Sequence, residues 1–160
     1  MNTQGASTSS LSSSSKGWWK YDVFLSFRGM GTHRSFADNL YAALTQKDIL
    51  TVRDGEEFEG DNFFNTINES RFTIIILSRN YATSTWCLDK LGMIVKYVNG
   101  IGKTILPIFY DVDRSNVKEQ TGSFAQAFTE YEELFKENTE LWRAALKKVA
   151  NLFGWSLKDR

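Results

Sequence analysis

The chain has 160 residues, with 19 basic and 19 acidic side chains that cancel, and a single cysteine and a single histidine. That length supports one domain with its own core, and the zero net charge removes the electrostatic case for nucleic acid as the main partner. No apolar run approaches the roughly 18–20 residues of a membrane-spanning helix, and Cys87 with His33 can build neither an internal disulfide nor a zinc site. This cysteine usage fits a reducing compartment, so the cytoplasm is expected, with the nucleus as the alternative.

Residues 1–17, opening "MNTQGASTSSLSSSSK", are serine-rich and nearly free of large apolar side chains, and are read as a disordered leader. A hydrophobic stretch of the secretory kind is missing, and Asn2 excludes the myristoylation pattern. A plastid transit peptide is the alternative reading, since acids are absent. The folded domain is expected over residues 18–160.

"YDVFLSF" (Tyr21–Phe27) reads as a strand. The following segment carries Phe36, Leu40 and Leu44 at helical spacing. "ILTVRD" (Ile49–Asp54) is a short strand, "GEEFEGDN" an acidic loop, and "FFNTINES" a short helix with Phe63, Phe64 and Ile67 on one face. "RFTIIILS" (Arg71–Ser78) is an unbroken apolar run, as in strands buried on both faces of a parallel sheet. Ala82–Gly100 reads as a helix stopped by Asn99-Gly100. "KTILPIFY" (Lys103–Tyr110) is another buried strand, with Pro107 predicting a bulge or an unpaired position. Ser123 and Gln126 have the spacing of a capping box. A last helix carries Leu141, Trp142, Leu146, Val149 and Phe153, and "WSL" (Trp155–Leu157) closes the pattern as a short strand.

This alternation predicts an α/β fold: a five-stranded parallel sheet of flavodoxin-like order 2-1-3-4-5 with helices on both faces. Ligands of such sheets lie beyond the C-terminal ends of strands 1 and 3, where the winding reverses. The topology therefore directs Arg28, Gly29, Trp86 and Lys90 towards one cleft.

"YDVFLSFRG", "SRNYATSTWCL", "LPIFYDVD" and "GSFAQAF", in this order, resemble the TIR (Toll/interleukin receptor) domain as found in plant immune receptors. The resemblance runs from about Tyr21 to Leu157. It implies the flavodoxin-like fold, signalling through association with other TIR-domain proteins (like or unlike), and NAD as ligand or substrate. No resident cofactor, metal or membrane segment is expected. Many family members cleave the nicotinamide–ribose bond of NAD with a glutamate four positions after the tryptophan, in the pattern W-C-L-x-E-L. Here the stretch is Trp86-Cys87-Leu88-Asp89-Lys90-Leu91, so the catalytic position holds Lys90.

Breaking that bond builds positive charge on the ribose. A carboxylate stabilises the charge and an ammonium repels it; preorganised electrostatics of this kind are worth about 3–4 kcal/mol. Asp89 is adjacent, but one residue rotates roughly 100° around a helix, so it should point elsewhere. Other departures run the same way. The first loop reads Phe27-Arg28-Gly29-Met30-Gly31-Thr32-His33 where relatives have F-R-G-E-D-T-R. Asp38-Asn39 stand in the first helix where relatives have the Ser-His of a self-association contact. Arg114 replaces a proline, and the family's further helix after "GWSL" is expected to be missing, uncovering apolar surface beside the first helix.

Two functions follow. One is an interaction module in innate immunity that joins TIR assemblies without NAD hydrolysis. The other is an NAD-cleaving enzyme using a substitute acid, Asp89 or Glu57; a degraded gene product is a third possibility. A phospho-accepting receiver domain is rejected, because Leu77-Ser78 and Phe27-Arg28-Gly29 occupy the places its acids require. Lys90 itself reads either as a solvated lysine or as an anion-binding one. Cys87 reads as a small buried apolar residue.

Overall fold

In the computed structural model, residues 19–28, 36–53, 61–100 and 104–158 are described. The leader over residues 1–17, Gly29, His33 and Glu57 lie outside them. Among the described residues five strands form: β1 (Tyr21–Ser26), β2 (Thr51–Arg53), β3 (Ser70–Leu77), β4 (Thr104–Tyr110) and β5 (Trp155–Leu157). Six α-helices accompany them: α1 (Phe36–Gln46), α2 (Asp61–Asn68), α3 (Thr85–Gly100), α4 (Arg114–Glu119), α5 (Ala125–Leu134) and α6 (Lys136–Ala150). All neighbouring strands pair in parallel, in the order β2-β1-β3-β4-β5. The winding reverses between β1 and β3, as the alternation of the sequence predicts.

Side chains alternate across the sheet. Phe24, Ile75, Leu77 and Phe109 face a large core completed by Phe63 and Ile67 of α2, Leu88, Leu91 and Ile94 of α3, Phe128 of α5 and Leu146 and Val149 of α6. Leu25, Ile74, Ile76 and Tyr110 face the other way, onto Phe36, Ala37, Leu40 and Tyr41 of α1. Register carries this second face outward from Ile108 to Trp155. At that edge Phe153 is 77% exposed and stands edge-on to Trp155 at 5.7 Å. Phe153 and Trp155 thus leave apolar surface exposed at the β5 edge.

Three local expectations need correction. Ser123 caps nothing: it lies inside a 3-10 turn (Gly122–Phe124), α5 starts at Ala125, and no side chain caps it. The short α4 was not foreseen, because six residues carry too little periodicity. Its first residue, Arg114, donates to the backbone oxygens of Ala150 and Leu152, both at 2.6 Å, and covers the Phe109 ring at 4.4 Å. A side chain with several donors thus starts α4, and it fixes the end of α6. Finally, Pro107 produces no bulge against β3, where the register runs unbroken from Phe72↔Thr104 to Leu77↔Phe109. It sits one residue ahead of the first β5 pair, Ile108↔Trp155, so the proline falls where the outer ladder has not begun.

Candidate functional site

The site is organised from the start of α3. Ser84 is buried, and its Oγ accepts the N–H of Cys87 at 3.1 Å, an N-terminal cap that satisfies one orphan donor of the first turn. The cap sets where the next residues point. Cys87 is buried, as expected of a small apolar side chain, and its Sγ lies 3.9 Å from the Phe27 oxygen, holding this turn against the end of β1.

Trp86 and Lys90 are four residues apart and share one face of α3. Lys90 is only 5% exposed, so it is not a solvated lysine. Its Nζ lies 4.2 Å from the Trp86 ring centroid and 4.9 Å from that of Phe63. Phe63 is fully buried and braced edge-on by Phe24 at 5.6 Å, whereas Trp86 is 36% exposed. An ammonium against two ring faces is held by their negative quadrupoles. The recess is therefore cationic at its centre and aromatic at its walls.

Asp89 points away, as the helical rotation requires. Its Oδ1 accepts the indole N–H of Trp142 on α6 at 2.9 Å. Arg28, at the end of β1, borders a different space: a cavity of about 150 Å³ walled by Phe27, Phe36, Ala37, Ile76, Ser78, Asn80 and Tyr110. Phe36 and Tyr110 stack there at 4.7 Å, and the Arg28 Nε is buried without a hydrogen-bond partner. The walls of this cavity include neither Trp86 nor Lys90. Arg28 also reaches Tyr131 electrostatically. Burial, then Glu130, raises the pKa of that phenol; Arg28 pulls it down and Cys87 pushes it up. The Tyr131 hydroxyl donates to the Ala82 oxygen at 2.8 Å.

The pair expected to mediate self-association lies on α1. Asp38 accepts from Arg53 at 3.1 Å, and the same guanidinium covers Tyr41 at 4.3 Å; Asn39 is exposed. Two contributors were not singled out from the sequence. Phe63 read only as an apolar position of a short helix, although it completes the Lys90 recess. Ser84 stands directly before the periodic residues of α3, the ordinary place for a cap, and that position is the signal that could have found it.

Residues 20–160 match the profile of the family described as "TIR domain". The chain belongs to the TIR domain family. This TIR domain is 46% identical over 158 residues to Disease resistance protein RPV1 of Vitis rotundifolia, covering 96% of this chain and 11% of that protein. It is 45% identical over 151 residues to TMV resistance protein N of Nicotiana glutinosa, covering 89% of this chain and 13% of that one. The chain thus spans only about an eighth of the length of these curated relatives. Among solved structures it resembles the TIR domains of the activated Roq1 resistosome that directly recognises the pathogen effector XopQ. That likeness has a TM-score of 0.76 and 40% identity, over 86% of this chain and 87% of the other. Within the described part of the TIR domain, no helix is long and apolar enough to cross a membrane, and no group of three or more His, Cys, Asp or Glu side chains could hold a metal ion.

Proposed function

We propose that this TIR domain acts in plant innate immunity, in the cytoplasm, as an association module that joins other TIR domains, like or unlike, without hydrolysing NAD. One observation carries the second half of this reading: a buried ammonium, held between Trp86 and Phe63, stands where the family resemblance places the carboxylate. Loss of nicotinamide turns the ribose into a cation, and Lys90 would raise the energy of that state rather than lower it. Asp89 is poorly suited to substitute, since its carboxylate is engaged by Trp142 on the far side of the helix. Association is supported by the fold and by the likeness to the Roq1 TIR domains, which belong to an activated resistosome.

The test has two arms. Purified protein with NAD, under crowding, should release nicotinamide no faster than a protein-free control; turnover above that background that survives Lys90→Ala would defeat the non-catalytic reading. Co-expression with catalytically intact TIR proteins should give mixed assemblies, and a strictly monomeric chain that contacts none of them would defeat the association reading.

A further inference from the structure

Two aromatic faces converging on one point form a general receptor for organic cations. Phe63 and Trp86 converge in this way, and the cation between them is the protein's own, 4.9 and 4.2 Å from the two ring centroids. The floor, Phe63, is buried, and the outer wall, Trp86, is open to solvent on one side. The occupant arrives from one helical turn away on the same element as Trp86.

We propose that the Phe63–Trp86 recess is a binding site for a small primary alkylammonium cation, and that Lys90 fills it as a tethered ligand which keeps it closed. The proposal rests on the reading that Lys90 is a non-catalytic occupant of the cleft, and it adds what that occupant does to access. A ligand tethered so closely acts at an effective concentration on the order of millimolar or above. Free amines below that level leave the native chain unchanged. Removing the side chain beyond Cβ empties the recess, whereas an uncharged side chain of similar length keeps it filled.

The experiment uses the full chain as wild type, Lys90→Ala, Lys90→Met and the double variant Lys90→Ala/Trp86→Leu. Each is titrated with n-butylammonium, with sodium chloride at equal ionic strength and 1-butanol as controls. Thermal midpoint and tryptophan fluorescence are followed. Lys90→Ala should gain stability with the amine alone and bind it at least about ten-fold more tightly than Lys90→Met or wild type; the double variant should lose the response. An equal response in Lys90→Ala and Lys90→Met would mean that charge removal, not occupancy, governs binding, and would overturn the proposal. So would a folded Lys90→Ala protein indifferent to the amine, or a response that survives Trp86→Leu. Should Lys90→Ala not fold, the native chain still decides: Lys90 should be acylated by an amine-reactive ester far more slowly than exposed Lys47, and equal rates would overturn the proposal. None of these readouts depends on NAD, so their failure leaves the nicotinamide measurement standing, and the reverse holds.

Discussion

Replacing Lys90 by glutamate gives the residue that the family resemblance places at this position, yet the structure predicts damage. The native ammonium makes two ring contacts in a recess where the side chain is only 5% exposed. Desolvated contacts of this kind contribute about 1–2 kcal/mol each. A carboxylate there meets the negative faces of Phe63 and Trp86, and its burial is costly. It can escape by taking a proton, which at pH 7 costs at most about 3.7 kcal/mol for a group of ordinary pKa near 4.3. The combined loss is about 5 kcal/mol, or a thermal midpoint lower by roughly 10–20 °C for a domain of this size. Urea unfolding followed by far-UV circular dichroism measures it. The variant's carboxyl should have a raised folded-state pKa, so its deficit should be smallest near pH 4–5 and grow as pH rises to 7, a trend wild type lacks. Because the recess is distorted as well as recharged, NAD turnover should stay low. A Lys90→Glu protein as stable as wild type at pH 7, or one that releases nicotinamide robustly, would refute this reasoning.

Other expectations can be checked by the same unfolding measurement. In Gly154→Ala the new Cβ would run into the Pro107 oxygen and lie 2.7 Å from its Cγ, so the β4–β5 edge must move; a loss of about 1–3 kcal/mol is expected. Ser84→Ala removes the α3 cap and should cost about 1 kcal/mol, with Ser84→Asp recovering most of it. Tyr131→Phe deletes the bond to the Ala82 oxygen and should cost about 1 kcal/mol at neutral pH. Because the Tyr131 pKa is raised from 10.0, chiefly by burial, the native phenol contributes stability that is intact below pH 10 and lost as pH climbs through the folded-state value. Tyr131→Phe should flatten that alkaline decline.

Much of this protein was legible in one dimension. The unbroken run of β3, the helical spacing of α3 and α6 and the short connections predicted a parallel sheet, and the flavodoxin-like order was the expected one for five strands. Periodicity is a local property and survives without knowledge of neighbours. The direction of Asp89 also followed from helix geometry, and its bond to Trp142 agrees. The capping-box spacing at Ser123 and Gln126 pointed to the wrong serine: the backbone draws Ser123 into a 3-10 turn, while Ser84, without that spacing, caps α3.

From the sequence alone came the sign of the charge at position 90 and its spacing from Trp86. Whether that lysine is solvated or enclosed depended on Phe63, 27 residues earlier on another helix, and no local pattern encodes such a contact. The same holds for Arg28: topology directs it to the correct end of the sheet, but its cavity lies among Phe36, Ile76 and Tyr110, apart from Lys90. Spacing along the chain fixes which residues share an element, while packing between elements fixes which side chains meet.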